Sequence, residues 1–159
     1  MRRVVLLAAL TAVVWAPAAA SAAKPKPLVP PFIQKLVRAK AGTLAYVPTR
    51  APFGYRYRRY RWDPPRRILT IVLADRRFPP DGRHSVTFTV ARFGGTLSSC
   101  GNDRGKTLQM GGNKVYWNGT VAWRCLRGAN GRLVKLAASG PNLPDVALGR
   151  VAASAKRLP

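Results

Sequence analysis

Hydrophobic and polar residues follow their clearest pattern between residues 106 and 139. Three turn signals divide this segment into four short runs: Gly111-Gly112-Asn113, Asn118-Gly119 and Gly128-Ala129-Asn130-Gly131. Because side chains alternate between the two faces of a strand, Val121, Trp123 and Cys125 are expected to share one face of the third run. Asn118-Gly119 favours a type I′ hairpin turn, whose two central residues both need positive φ. The pattern predicts four antiparallel strands that form the nucleus of the fold and not a reaction centre.

Two further strands are predicted upstream of this segment. Residues 85–91 alternate regularly, with Val86, Phe88 and Val90 on one face and Ser85, Thr87 and Thr89 on the other. Residues 68–73 are apolar on both faces, which is typical of a strand inside a sheet. The segment between them is rich in Pro, Gly and Asp and is predicted to form turns.

Residues 55–62, YRYRRYRW, alternate aromatic and basic side chains along a third upstream strand. The alternation slips by one position at Arg58-Arg59, so the first two aromatic residues would face away from the last two unless a β-bulge restores the phase. In one interpretation the arginines neutralise phosphates while aromatic side chains stack on bases or sugars. The candidate polyanion-binding residues are Arg56, Arg58, Arg59, Arg61, Tyr57, Tyr60 and Trp62. In the alternative interpretation the aromatic side chains pack in the core and the arginine stems cover them.

Apolar residues at helical spacing are found both before and after the predicted strands. Pro31 suits a helix start and Gly42 a helix end, and apolar residues recur between them at helical intervals. We therefore expect a short amphipathic helix over residues 31–41, packed on the sheet or, alternatively, lying on a membrane surface. Near the C-terminus, Pro144 and Asp145 suit a first helical turn, whereas Lys156 and Arg157 suit a helix end. This C-terminal helix would have a loose apolar stripe: Val146, Leu148, Val151, Ala152, Ala155 and Leu158.

Strands followed by a helix, without an alternating strand–helix rhythm, indicate an α+β domain. The predicted fold is an antiparallel β-sheet of about six to seven strands, with a short N-terminal helix and a C-terminal helix packed on it. No internal repeat of fixed period is present.

The N-terminal segment is typical of a secretion signal. Met1-Arg2-Arg3 is positively charged, residues 4–15 are almost entirely apolar, and Ala20-Ser21-Ala22 suits signal-peptidase cleavage. An uncleaved membrane anchor is the alternative, although the apolar run is shorter than a membrane-spanning helix needs. The predicted organisation is a signal peptide over residues 1–22, an inert Pro-rich spacer over 23–31 and a single α+β domain over 32–159.

The chain is strongly basic. Its 28 Lys and Arg residues oppose five acidic residues, all Asp, for a formal net charge of +23, and loss of Arg2 and Arg3 with the leader leaves +21. Such a surface attracts polyanions, so the expected partners are an anionic envelope polymer or a membrane surface, with nucleic acid less favoured. A purely compositional origin of the charge is the alternative, because charge governs association and not fold.

Cys100 and Cys125 are the only cysteines. In an exported chain an even number of cysteines predicts a disulfide, here between the loop after residue 94 and the third run of the opening segment. Two thiols and one distant histidine, His84, do not make a four-ligand zinc site. His84 lies in a turn before a strand and is expected to be exposed.

The sequence offers few groups for acid–base catalysis. Without Glu, any carboxylate pair must come from Asp63, Asp75, Asp81, Asp103 and Asp145. Four of the five lie beside Pro or Gly or at a helix start, where Asp has ordinary structural roles. We therefore expect no catalytic residues, no metal and no cofactor.

Five segments, distributed together over about residues 44–158, resemble parts of a known family: VPTRAPFGYRYRRYRW, KTLQMGGNKVYW, VAWRC, LVKLAAS and VALGRVAASAK. These segments resemble the Pro/Gly/Tyr-containing opening, the closing strands and the terminal helix of small extracytoplasmic bacterial domains often attached to anti-sigma factors. The resemblance implies a non-catalytic sensor or ligand-binding module. The chain has no zinc-type His/Cys cluster before its hydrophobic segment, so direct sigma-factor regulation is not implied, and the cysteine pair is not expected of that family generally.

The sequence thus predicts a secreted, non-catalytic, basic domain that acts as a ligand-binding or sensor-like module of the cell envelope. The alternative is a polyanion-binding protein that works through its surface arginines. A deep apolar cavity beside the sheet would favour the first function. Clustering of arginines on one face would favour the second.

Overall fold

The computed structural model describes residues 26–78, 82–101 and 106–159. The predicted signal peptide, residues 1–22, lies outside these ranges. Within them the chain forms two helices, α1 (Pro31–Ala41) and α2 (Asp145–Ser154). The strands are β1 (Tyr46–Val47), β2 (Tyr55–Asp63), β3 (Ile68–Asp75), β4 (Ser85–Arg92), β5 (Lys106–Met110), β6 (Asn113–Trp117), β7 (Val121–Arg127), β8 (Leu133–Ser139) and β9 (Lys156–Arg157). Neither described helix has the length and hydropathy to cross a membrane.

Seven of these strands form one antiparallel sheet in the order β2-β3-β4-β8-β7-β6-β5. The sheet consists of two meanders, β2-β3-β4 and β5-β6-β7-β8, which are joined where β4 pairs with β8. The short strands β1 and β9 form a separate antiparallel ribbon. The predicted α+β class, with an antiparallel sheet and one helix on either side of it in the sequence, is therefore confirmed.

The core lies on one side of the sheet, which we call the core face. Alternating residues of β3, β4 and β8 supply much of it, each at most 2% exposed: Leu69, Ile71, Leu73, Val86, Phe88, Val90, Val134, Leu136 and Ala138. Val37 of α1 and Leu148 and Val151 of α2 are fully buried in the same cluster. The period of two in the sequence therefore reports one buried face, because alternate side chains of a strand point the same way.

Helix α1 occupies the predicted residues. Pro31 suits the first turn because its missing N–H would be unsatisfied there, and Gly42, at a φ of 54°, ends the helix by donating its N–H to Arg38 O. The buried stripe of Ile33, Val37 and Ala41 packs the helix into the core. The spacer before it is not inert throughout, since Val29 is 1% exposed and its carbonyl accepts a hydrogen bond from Gln34 Nε2.

Helix α2 is shorter than the sequence pattern indicated. Lys156 and Arg157 do not end a helix but form β9, which pairs with β1. The chain leaves the helical conformation at Ala155, with φ −63° and ψ 132°, and the Leu158 N–H donates to Ala45 O. Ala155 and Leu158 are buried nonetheless, because this ribbon returns the chain to the core.

Of two hairpin turns that the sequence indicated, one appears where it was expected and the other is of a different type. Gly111 and Gly112 connect Met110 directly to Asn113, and both have positive φ, 56° and 78°, as the central residues of a type I′ turn require. At Asn118-Gly119 only the glycine has positive φ, so the type I′ prediction is wrong there. There the Asn118 N–H donates to Val121 O, so the two central residues of the turn are Gly119 and Thr120, one position later than predicted.

The other side of the sheet, here called the outer face, carries Val121, Trp123 and Cys125 as predicted, since the intervening residues of β7 pair with core-face residues of β8. Cys125 forms a disulfide with Cys100, the two Cα atoms lying 6.2 Å apart, which confirms the expected pair. Trp123 Nε1 donates to Cys100 O at 2.8 Å. The loop that contains Ser99–Gly101 therefore covers this part of the outer face and buries Trp123.

Candidate anion-binding sites

A β-bulge re-phases the strand of alternating aromatic and basic residues. Tyr57 pairs with Leu73 and Arg59 pairs with Val72, so Arg58 is the extra residue in β2. The four aromatic residues consequently share the core face and pack against the core cluster: Tyr55, Tyr57, Tyr60 and Trp62. The packing role that the sequence offered as the alternative for these aromatic side chains is the one the structure gives them.

The same bulge separates the arginines of β2 from its aromatic residues. Arg56, Arg59 and Arg61 lie on the outer face, and these residues and Arg58 are all exposed. The structure therefore does not bring Tyr57, Tyr60 and Trp62 together with the arginines on one surface. The structure instead places four exposed arginines along an edge strand of the sheet. We call Arg56, Arg58, Arg59 and Arg61 the β2 arginine row.

The β2 arginine row has no neutralising partner in the described ranges. Ion pairs there join only Arg66 to Asp63 and Arg77 to Asp75. The neighbouring outer face of β3, β4 and β8 carries short, half-buried side chains such as Thr70, Thr87 and Ala137. The row therefore borders a surface of short side chains.

A second basic site is a cavity between α2 and the β5–β6 hairpin, which we call the α2 cavity. Its volume of about 840 Å³ lies in the range of small-molecule binding sites. Four basic residues and no acidic residue are among its described lining residues: Arg50, Arg124, Arg150 and Lys156. Apolar residues from β5 and α2 complete the wall, together with the β5–β6 turn, Thr49 and Ser154.

Arg124 is the most buried of the four basic residues. Its Nη2 donates to Ala155 O at 2.8 Å and its Nη1 to Asn113 Oδ1, while Nε is buried without a hydrogen-bond partner among the described residues. Burial lowers the pKa of Arg124 from its ordinary value because the charged form loses hydration, and Tyr46 opposes this shift. Two neutral acceptors hold the guanidinium in place, but no carboxylate of the described ranges neutralises it.

Sequence reasoning did not single out Arg124, although part of a signal for it was present. Arg124 pairs with Leu136 across the sheet and so projects from the core face, where an apolar residue is the rule. The alternation that groups Trp123 with Cys125 already places Arg124 on the opposite face of the strand. That this opposite face is the one turned to the core follows from the pairing with β8, which no local pattern indicates.

Asp75 is the one buried charged residue among those described, at 3% exposure. Arg77 donates from Nε to Oδ1 at 3.2 Å and from Nη2 to Oδ2 at 2.8 Å, and its backbone N–H also reaches Oδ1. These hydrogen bonds, aided by the charge of Arg77, lower the pKa of Asp75 to about 2. The carboxylate is therefore a fully partnered structural group.

The remaining titratable candidates also have local partners or lie beyond the described ranges. Asp63 pairs with Arg66, and Asp145 Oδ1 accepts the Val146 N–H at the start of α2. Asp81 and Asp103 are outside the residues that the structure describes. The expectation that His84 is exposed is wrong, because its ring is half-buried and stacks on Phe78 with 3.9 Å between centroids.

Comparisons with protein-family models, with curated proteins and with solved structures found no match to this chain. The resemblance to extracytoplasmic domains attached to anti-sigma factors therefore stays an expectation. Among the residues described, no three His, Cys, Asp or Glu side chains are grouped as a metal site would need. The α2 cavity and the β2 arginine row are the two arrangements from which function can be inferred.

Proposed function

We propose that this protein is a non-catalytic, ligand-binding module of the cell envelope that holds an anion in the α2 cavity. The observation that carries the proposal is Arg124, a half-buried guanidinium with no carboxylate partner in the described ranges, which lines a cavity of about 840 Å³. A buried charge is costly unless it is paired, so an anion in contact with Arg124 stabilises both partners. Exposed Arg50, Arg150 and Lys156 around the same cavity favour the approach of that anion.

Two further observations support the envelope location and the non-catalytic role. The Cys100–Cys125 disulfide is typical of oxidising compartments outside the cytoplasm, in agreement with the signal-like leader. Asp63 and Asp75 are engaged in ion pairs and Asp145 in a helix-start hydrogen bond, so each described carboxylate has a structural role. A sensor-like module, which reports the bound anion to a partner, is the form of this function that the sequence resemblance suggests.

The test is intact-complex mass spectrometry of the full chain purified from the envelope of its own host without denaturation. We expect one anionic adduct per chain, and we expect Arg124→Gln to lose it. Arg76→Gln is the matched control, because Arg76 is exposed and lies outside the cavity lining, and the substitution removes the same charge.

Equal adduct occupancy in the two variants would exclude Arg124 as the anion site. Because Arg124 also holds Ala155 and Asn113, the variant can lose stability instead of affinity. The double variant Arg150→Gln/Lys156→Gln tests the cavity without this loss of stability, since both residues are exposed and both line the cavity. It is expected to lower adduct occupancy in a folded protein.

The second candidate function is binding of a linear polyanion along the β2 arginine row. Arg59 and Arg61 lie two residues apart on one face, which places their Cα atoms roughly 6.6 Å apart along the strand. Their exposure and the lack of ion pairs with described carboxylates leave the guanidinium groups available to phosphates. The competing structural explanation is that charged side chains on an edge strand prevent pairing with a second sheet.

A further inference from the structure

We infer that the ligand of the α2 cavity is an amphiphile with an anionic carboxylate or phosphate head and one apolar chain. This inference rests on the proposed function and adds the chemical class of the ligand. Its basis is the distribution of residues along α2: three of the four basic lining residues lie around the last turn of the helix, whereas its larger apolar lining residues, Val146, Leu108 and Met110, lie beside the first half.

The cationic end lies where α2 stops. Arg124 Nη2 donates to the carbonyl of Ala155, the residue directly after the helix, and Lys156 follows it in the chain. Arg50 is tied to the same place, since its backbone N–H donates to Ser154 Oγ at 3.1 Å. Three basic residues of the cavity lining therefore lie around the last turn of α2, Arg150 lies one turn earlier, and no acidic residue is among the described lining residues.

The apolar end lies beside the first half of α2. Met110 packs directly on the helix backbone at Gly149, where a Cβ atom would lie 2.7 Å from the Met110 sulfur, and Leu108 approaches the same point. Val146, one turn earlier, lines the cavity and keeps 41% of its surface exposed. The side chains at this end thus offer apolar contact to a ligand that reaches past Arg150.

The two ends are far enough apart to recognise different parts of one molecule. Val146 and Ser154 are separated by eight residues of helix, roughly 12 Å at the rise of an α-helix. A small inorganic anion would contact only the Arg124 end and leave Val146 and Leu108 in water. An amphiphile places its charge at Arg124, while its chain covers the apolar residues.

The test compares three probes by calorimetric titration of the full chain in 0.15 M salt, with dodecanoate kept below its micelle concentration. Dodecanoate combines the anionic head and the apolar chain, acetate has only the head, and dodecanol has the chain with an uncharged head. We expect dodecanoate to bind one to one and at least a hundredfold more tightly than acetate, because each buried methylene contributes about fourfold. Dodecanol is expected to bind at least roughly tenfold more weakly than dodecanoate, because it loses a charge-assisted hydrogen bond.

Variants at the two ends separate this inference from the proposed function. Val146→Ser and Met110→Gln should each weaken dodecanoate binding several-fold and leave acetate binding unchanged. Leu36→Ser is the matched control, a residue of α1 that is 44% exposed and outside the cavity lining. Arg124→Gln should weaken both anions, with Arg76→Gln as its control for charge.

Three other outcomes would contradict the amphiphile inference, and the third of them would contradict the proposed anion-binding function as well. If acetate or inorganic phosphate binds as tightly as dodecanoate and depends on Arg124, the cavity is an anion site but the amphiphile inference is wrong. If Val146→Ser and Met110→Gln bind dodecanoate like the wild type, the apolar end has no role and the inference is also wrong. If no anion binds with a stoichiometry of one and a dependence on Arg124, both the inference and the proposed function fail.

Discussion

At the scale of single residues, the Asp75–Arg77 pair makes a prediction about acid stability. Its hydrogen bonds hold the pKa of Asp75 at about 2, below the ordinary value of 3.8. The folded state therefore binds this proton less readily than the unfolded state does. The carboxylate contributes stability that is fully present above about pH 3.8 and is lost as the pH falls toward 2.

Urea unfolding at a series of pH values checks this prediction. The unfolding free energy of the wild type should fall between pH 4 and 2 more steeply than that of Asp75→Asn, which has no carboxylate to protonate. Arg77→Gln should flatten the same interval, because it removes the hydrogen bonds that depress the pKa. Parallel pH curves for the wild type and Asp75→Asn would contradict the assignment.

The environment of a residue could be predicted from the sequence where the local pattern determines it. The position of Trp123 and Cys125 on one face of their strand followed from the period of two, and the cysteine pair followed from the number and context of the cysteines. His84 was assigned to solvent from its turn, but a ring of Phe78 stacks on it, and such a contact leaves no local signature. Arg124 was overlooked because its environment is created by Asn113 and Ala155, which are distant in the sequence.

At the scale of elements, the bulge in β2 explains why the YRYRRYRW pattern is interrupted. Deletion of Arg58 removes the one residue without a partner in β3 and leaves a strict alternation of aromatic and basic residues. We expect this variant to fold with a stability close to that of the wild type, because all four aromatic residues keep the core face. Deletion of Arg61 is the matched control for length and charge.

The Arg61 deletion should instead place Trp62 on the outer face. Loss of burial for one large aromatic side chain predicts a destabilisation of about 2 kcal/mol. Urea unfolding of the two deletion variants measures the difference. If both deletions destabilise the protein equally, the bulge is required in itself and does not merely correct the phase of the strand.

The disulfide between the Ser99–Gly101 loop and β7 makes a second prediction at this scale. Cys100 and Cys125 are separated by 25 positions, and closing such a loop is worth about 3.5 kcal/mol in the chain-entropy model. The double variant Cys100→Ala/Cys125→Ala should lose a comparable unfolding free energy, and reduction of the wild type should reproduce the loss. Thiol titration of denatured, unreduced wild type should find no free thiol, whereas two free thiols would refute the pairing.

Elements were predictable from the sequence to the extent that their signals are local. The strands of residues 106–139 and α1 have turn residues, proline and glycine at their boundaries, and both appear as expected. Strand β9 was missed because Lys156 and Arg157 become a strand only by pairing with β1, more than a hundred residues earlier. The turn at Asn118-Gly119 was misassigned by one residue because a favoured pair of residues does not fix the register of the flanking strands.

At the scale of the whole molecule, the effect of the net charge of +23 has to be distinguished from the effect of local binding sites. Every surface of so basic a protein attracts anions, so weakened binding after the loss of any four arginines would prove nothing by itself. The β2 arginine row differs from the average surface because Arg56, Arg59 and Arg61 share one face of one strand. A localised site therefore predicts that position matters as well as charge.

The corresponding experiment replaces Arg56, Arg58, Arg59 and Arg61 by Gln and measures binding to duplex DNA, a phosphate polymer of known charge density, over a range of salt concentrations. If the row contacts phosphates, the slope of log affinity against log salt should lose roughly 0.9 for each contact removed. The matched control replaces four exposed arginines from separate elements by Gln: Arg38, Arg76, Arg83 and Arg132.

Both quadruple variants have the same net charge, so a difference between them reports geometry alone. We expect the β2 variant to bind more weakly than the control at low salt and to converge with it at high salt, where phosphate neutralisation contributes least. The fold should survive in both variants, because the guanidinium groups of the row are exposed and the aromatic residues of β2 pack on the other face. Equal slopes for the two variants would show that the charge acts diffusely over the whole surface, and the arginines of β2 would then be explained by protection of the sheet edge.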